Sequence, residues 1–363
     1  MSELTNAGKQ SCEIIWNPTD EKYTNEHIRH FQGCPTIAVT RGGRIFMGWY
    51  SGGRCEPHME NFNLIVKSDD GGETWSKPIV VIPSSMERWV QSLDIQLWID
   101  PDGRFHVFWV QNNTHPVGQG KDGYTIDGWV FGDPRHTEWE MICENPDADE
   151  LTFTEPRMLD IGFLRCKPLV TKSGRWINFN YDQMTDRYGY SISDDKGATW
   201  TRRYGAKKIA TPFDEGMAYQ KENGDIRMLA RTSIGELAET TSHDDGLTWD
   251  ETIPSGIDSP NTHFYIARTP SGRVLMINND HRTSRCNMTV YLSEDDGVTW
   301  KYKRLIDGRN NLSYPDVEFH NGEIYLTYDR ERTGAMEILF TRFTEADIMD
   351  ESYSFDVKIV SKP

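Results

Sequence analysis

The chain of 363 residues has no run of 18 apolar residues and no apolar segment behind Met1, so neither a membrane-spanning helix nor a secretory leader is expected. The expectation is a cytoplasmic protein; a secreted chain whose leader had been removed would read the same. Basic charge is also scarce, with 39 Lys and Arg against 56 Asp and Glu and a net charge of −17. Nucleic acid and anionic membranes both demand a basic surface, so neither is expected as a partner. Only six cysteines are present, without C-x-x-C pairing, which excludes a disulfide scaffold. Cys34, Cys143 and Cys166 fall in strand-like runs, where buried reduced thiols are the ordinary state. There is no Ser-His-Asp arrangement, no phosphate-cradling glycine loop and no zinc-type ligand spacing, and His58 and His281 stand alone. No metal and no cofactor are expected. No Pro/Gly/Ser-rich bridge or low-complexity tract divides the chain, so residues 1–363 read as one domain.

What the chain does have is repetition. The pattern Ser-x-Asp-x-Gly-x-Thr-Trp occurs four times, at Ser68–Trp75, Ser193–Trp200, Ser242–Trp249 and Ser293–Trp300. Its Ser and Asp side chains suit a tight turn, its Gly supplies a positive φ, and its Trp is a large apolar anchor between neighbouring units. The four acids therefore read as turn builders rather than as chemistry.

A second repeat counts the units. Six β-rich segments each carry a Gly-led turn, at Gly43, Gly103, Gly174, Gly224, Gly272 and Gly322, spaced 60, 71, 50, 48 and 50 residues apart. Units of this length built of hairpins point to an all-β fold, a six-bladed β-propeller of four-stranded antiparallel blades. The N-terminal strand CEIIWNP is expected to complete the last blade beside YSFDVKIV, removing two exposed edges. A short helix is expected at TEADIMDES, and the long second gap holds an insertion, GYTIDGWVFGDPRHTEWEMI, that suggests an extended hairpin or lid.

In a propeller the first strand of each blade lines a central channel, so residues at the beginning of those strands are site candidates. They are Gly33 and Cys34, Asp94, Arg165 to Lys167, Asp214 and Glu215, Asn261 to His263, and Tyr314 to Asp316. The ends of the second strands add Gln111, Asp182, Arg231, His281 and Arg330. Each has a plain alternative: Glu215 as a strand-end charge pairing Arg231, Tyr314 as a core tyrosine, Arg285 as a brace for the neighbouring blade.

With its four boxes and the ordered segments EGMAYQKENGDIRMLAR, RCNMTVYLSEDDGVTW and SYPDVEFHNGEIYLTY, the chain resembles the sialidase (neuraminidase) superfamily of Asp-box propellers from about Gln32 to Met349. The resemblance implies an exo-acting glycoside hydrolase that releases a terminal sialic acid or related acidic sugar with retention. Tyr314 then matches the nucleophile and Glu215 its glutamate partner, while Arg231 and Arg285 match two arginines of a substrate-carboxylate clamp. A neutral tyrosine avoids the repulsion that a carboxylate nucleophile would meet beside the substrate carboxylate. The first blade departs from the pattern. Gly33 stands where the family has its first clamp arginine, and Ser51–Asn63, where the family has an acid/base aspartate, contains none. Glu56 is the nearest acid, Glu60 the second choice; Arg54 and Lys167 are available to replace the missing arginine. Asp94 and His263 are expected to line the substrate site without an assigned role. The alternatives are a non-catalytic carbohydrate-binding propeller, or a glycosidase or lyase for a different acidic sugar. The expected partner is a glycan, and the oligomeric state is not legible.

Overall fold

Short runs rich in β-branched and aromatic residues, separated by Gly-led turns, favour antiparallel hairpins. The computed structural model describes residues 10–115, 130–211 and 213–363, and these form six antiparallel sheets, the blades of a six-bladed β-propeller. Blade 1 contains β1 (Ile15–Trp16), β2 (Phe31–Val39), β3 (Ile45–Gly52), β4 (Phe62–Ser68) and β5 (Val80–Pro83). Blade 2 contains β6 (Val90–Ile99), β7 (Phe105–His115), β8 (Val130–Cys143) and β9 (Arg157–Ile161). Blade 3 is built from β10 (Leu169–Val170), β11 (Trp176–Asn178), β12 (Arg187–Ser193) and β13 (Thr201–Lys207). In blade 4 the strands are β14 (Met217–Gln220), β15 (Ile226–Ala230), β16 (Glu236–Ser242) and β17 (Ile253–Asp258). Blade 5 has β18 (Tyr265–Arg268), β19 (Val274–Asn279), β20 (Cys286–Ser293) and β21 (Tyr302–Asn310). Blade 6 has β22 (Leu312–His320), β23 (Glu323–Arg330), β24 (Glu337–Thr344) and β25 (Lys358–Ser361).

The chain forms two compact units. One holds blades 1 and 2 within residues 1–164 together with Arg332–Ile338 and Ile359–Pro363; the other comprises Arg165–Glu331 and Leu339–Lys358. In the first unit, Phe46 of blade 1 stacks on Phe105 of blade 2 with ring centroids 4.4 Å apart, inside a cluster that includes Ile65, Ile95, Val107, Trp109 and Met141. In the second unit, β19 is buried along its whole length while the outermost strand β17 is largely exposed, as a strand facing water on one edge must be.

All six turn glycines join a first to a second strand at positive φ, as Gly174 does at 91°. The four Asp boxes share one wiring. Ser193 Oγ donates to Asp195 Oδ1 (2.8 Å) and accepts from the Gly197 amide (2.8 Å), while the same carboxylate takes the Thr199 amide (2.8 Å) and hydroxyl (2.6 Å). These donors, the Thr199 hydroxyl foremost, hold the Asp195 carboxyl down at about 2. Trp249 of the third box anchors one blade to the next, its ring 5.8 Å from Tyr190 and 6.1 Å from Phe179 of blade 3. Trp200 and Trp300 instead meet rings of their own blades, Trp176 and Tyr291.

The N-terminal strand does not do what its sequence suggests. Ile15 and Trp16 pair with Val81 and Val80 at the outer edge of blade 1, making that sheet five-stranded, and blade 6 closes with its own β25. The last sheet has no vacant position, whereas β5 offered an open edge beside Phe153, on which Trp16 stacks at 5.1 Å. A helix, α1 (Glu21–Thr24), follows β1, and α2 (Glu345–Met349) forms within the expected helical segment, started by a capping box between Thr344 and Asp347. Of the insertion in blade 2, the stretch from Val130 belongs to β8, which pairs with β7; residues 123–129 lie outside the described residues. All six cysteines are free thiols, with Cys34, Cys143 and Cys166 buried.

Candidate active site

Three first strands are interrupted at the same place. The pairing register breaks between Gly33 and Thr36 in β2, between Leu93 and Gln96 in β6, and between Ser313 and Asp316 in β22. Inside the interruptions lie Cys34 (φ 55°), Asp94 (φ 47°) and Tyr314 (φ 54°), and just ahead of β14 lies Glu215 (φ 39°). A non-glycine residue in left-handed backbone costs on the order of 1–3 kcal/mol, and a bulge re-aims the side chain it carries. In each of these four blades the device presents one side chain.

In the second unit two of these presented residues meet. Tyr314 Oη donates to Glu215 Oε1 at 2.8 Å and accepts from Arg231 Nη1 at 3.2 Å. The same Arg231 nitrogen lies 3.0 Å from Glu215 Oε2, and Arg231 Nε donates to Asn261 Oδ1 at 2.6 Å. The Phe213 ring backs the guanidinium at 5.3 Å. Two more guanidinium groups approach the Tyr314 ring, Arg165 at 4.9 Å and Arg285 at 5.9 Å from its centroid, and Arg285 Nη2 donates to the Asn261 carbonyl at 3.0 Å. His263 stacks on the ring, centroids 5.3 Å apart and planes 23° from parallel. Tyr314, Glu215, Arg231, Arg165 and His263 are buried; Arg285 is half-buried.

Burial works to raise the Glu215 carboxyl, but the Arg231 charge and the other groups around it prevail and hold it at about 2. Burial likewise opposes the Arg231 charge, and Glu215 overrides it, so that guanidinium stays protonated. His263 drops to about 3, chiefly through burial, and is neutral near pH 7. Asp214, whose carbonyl accepts from the Arg231 amide at 2.8 Å, rises to about 7 through burial even though Lys208 Nζ lies 2.9 Å away. The centre is a phenol hydroxyl that donates to an ionised carboxylate and accepts from a guanidinium. That is the equipment of an activated oxygen nucleophile.

The other candidates lie elsewhere. Lys167 Nζ donates to the Val317 carbonyl and sits 3.5 Å from Asp316 and 3.3 Å from Glu318, so its charge is already opposed by two carboxylates. In the first unit, Asp94 is buried within the β6 bulge, and the exposed Glu56 forms an ion pair with Arg332. Arg54 is exposed in the same loop, and Glu60 is exposed 3.7 Å from His58. Arg165, to which its position at a strand beginning assigns no role, belongs to the Tyr314 cluster. Asn261, likewise, is the side chain that orients Arg231. Among the described residues, no group of three or more His, Cys, Asp or Glu is arranged to hold a metal ion.

Fold and turn chemistry define an Asp-box propeller. The model of the BNR repeat-like domain matches residues 129–326, more than half the chain, and that of the BNR/Asp-box repeat matches residues 66–77. The protein belongs to the BNR repeat-like domain family. No curated protein matches the sequence. Among solved structures, the intramolecular trans-sialidase of Ruminococcus gnavus in complex with oseltamivir carboxylate is similar, with a TM-score of 0.69 at 17% identity over 94% of this chain and 98% of that one. The NanB sialidase of Streptococcus pneumoniae gives a TM-score of 0.65 at 17% identity, covering 89% of this chain and 68% of that one. A protein of unknown function from Dyadobacter fermentans gives 0.63 at 19% identity, over 90% and 96% of the two chains. At these identities the likeness establishes the shared fold.

Proposed function

We propose that the protein is a retaining exo-glycosidase of the sialidase type, acting on a terminal acidic sugar. The observation that carries the reading is the buried hydrogen bond from Tyr314 Oη to Glu215 Oε1 with Arg231 donating to the same phenolic oxygen. In the first step the phenolic proton passes to Glu215 as the oxygen attacks the anomeric carbon. The bond to the aglycone oxygen breaks, and a carboxylic acid of the Ser51–Asn63 loop, Glu56 or Glu60, gives that oxygen its proton. In the second step that carboxylate takes a proton from water, the resulting hydroxide displaces the tyrosine, and Glu215 returns the proton to the phenolate. Two displacements at one carbon restore its configuration. Arg231 and Arg285 hold the substrate carboxylate through charge-assisted hydrogen bonds.

Two observations widen the substrate class beyond sialic acid. By the family resemblance Gly33 stands where a clamp arginine would, and Glu56 is engaged by Arg332, an ion pair that a proton donor must first release. The test is turnover of a panel of aryl glycosides of sialic, other ulosonic and uronic acids, with the first-formed anomer read by proton NMR. Cleavage of one member with retention is expected. Inversion refutes the tyrosine mechanism. Saturable binding without turnover across the panel replaces it with a carbohydrate-binding propeller, and an unsaturated sugar product indicates a lyase.

A further inference from the structure

His263 lies just ahead of β18, where the sequence pattern suggests a residue lining the substrate site. Its surroundings assign it a different task. Its ring lies against the Tyr314 ring at 5.3 Å, and its Nδ1 is 3.6 Å from Glu215 Oε2. Both atoms are buried, and neither has a hydrogen-bond partner among the described residues. Arg231 Nη1 pairs with Oε2 at 3.0 Å, and a carboxylate oxygen has a second lone pair that can accept a further donor. A buried ring nitrogen without a partner is costly, and a movement of well under 1 Å brings His263 Nδ1 within hydrogen-bond distance of Oε2.

We propose that His263 is a positioning residue: neutral, with its proton on Nδ1, it donates to Glu215 Oε2 and clamps Tyr314 from the ring face, forming a Tyr314–Glu215–His263 chain. The inference rests on the tyrosine-nucleophile reading for its catalytic consequence, and on geometry alone for the hydrogen bond.

The charges around His263 fit a neutral donor. Glu215 and Asp316 favour its protonation, Arg165 and Arg231 oppose it, and burial, the largest influence, settles it as the uncharged ring. A neutral imidazole has one N–H to place, and the carboxylate fixes which nitrogen carries it. The donated bond leaves Glu215 Oε1 turned toward the phenol, ready for its proton. During the attack His263 gains and loses no proton. It holds the acceptor in place while the proton moves from Tyr314 Oη to Glu215 Oε1.

Selective nitrogen-15 labelling of histidine reads the tautomer directly, with the His263 signals assigned by their loss in His263→Asn. The proposal expects the Nδ1–H tautomer at pH 7, and loss of that preference in Glu215→Ala. The kinetic arm uses whichever aryl glycoside the panel shows to be cleaved. His263→Phe keeps the stacked ring and removes the donor, so kcat should fall roughly 10- to 100-fold, the worth of one hydrogen bond to a charged group, with KM nearly unchanged. The acid limb of its pH profile should move upward, because a carboxylate that loses a donor is protonated more easily. His263→Asn, which retains an N–H, should recover part of the loss. An Nε2–H tautomer or an imidazolium in the wild-type protein overturns the proposal whatever the turnover. So does an Nδ1–H tautomer combined with an unmoved kcat and acid limb in His263→Phe. A protein that cleaves nothing yet shows the Nδ1–H tautomer, lost in Glu215→Ala, refutes the glycosidase reading and upholds the hydrogen bond.

Discussion

Replacing Glu215 by Gln removes one charge from a place where the protein has arranged its neighbours around that charge. The carboxyl is held at about 2 against an ordinary value of 4.5, with Arg231 at 3.0 Å and Tyr314 donating at 2.8 Å. At 1.36 kcal/mol per pKa unit, this difference corresponds to about 3 kcal/mol of folding stability. Removing one partner of a buried ion pair independently suggests about 3–5 kcal/mol, since Arg231 stays buried and charged. The pH dependence has a definite sign. A carboxyl depressed in the folded state contributes fully above its unfolded value near 4.5 and loses the contribution as pH falls toward 2. Urea unfolding of wild type and Glu215→Gln at pH 7, 5 and 3.5 should give a gap of about 3 kcal/mol at pH 7 that is little changed at pH 5 and narrowed at pH 3.5. The same change removes the acceptor for the phenolic proton, so turnover should fall by about 10²–10⁴. Equal stability of the two proteins at pH 7, or a gap that widens on acidification, refutes this reasoning.

Two further outcomes are expected. His106, buried in blade 2, meets Glu140 at 2.6 Å and Asp100 at 3.2 Å; burial lowers its pKa, but those two hydrogen bonds outweigh burial and raise it. Its contribution is full below its unfolded value near 6.5 and lost as pH rises through the raised folded value, so His106→Gln should cost about 3 kcal/mol in denaturant melts at pH 6 and less at pH 9. The Arg285 guanidinium reaches the Tyr314 ring from a half-buried position and donates only to the Asn261 carbonyl among the side-chain hydrogen bonds described, so Arg285→Ala should raise KM for an acidic glycoside roughly 10- to 100-fold with a smaller change in kcat, by steady-state kinetics.

The periodic features were legible because they are local. A Ser-x-Asp-x-Gly-x-Thr-Trp segment wires its own turn within eight residues, and a Gly-led hairpin needs no distant partner. The six blades follow from counting them. The partner of the N-terminal strand is not legible locally, because an edge accepts any short apolar strand, and the choice between β5 and the last blade depends on which sheet already has its full complement. At the site, Tyr314, Glu215 and Arg231 were legible through the order of the segments that carry them. The backbone that presents them was not, since neither Tyr314 nor Glu215 is a residue type that advertises positive φ. The pairing of Glu56 with Arg332 joins residues 276 apart in sequence, and no local pattern announces it. The placing of Arg165 over the Tyr314 ring is tertiary in the same way.

The central claim is that Tyr314 is the nucleophile, and the most direct measurement is of the covalent bond it implies. An acidic glycosyl fluoride carrying a second fluorine beside the anomeric carbon destabilises the charged transition states while keeping a good leaving group, so the enzyme intermediate accumulates. Mass spectrometry of peptides from the trapped protein should place one sugar on Tyr314, in the segment SYPDV, and Tyr314→Phe should form no such adduct. A sugar attached to Glu215, Glu56 or any other side chain, or release of fluoride with inversion and no adduct, contradicts the account.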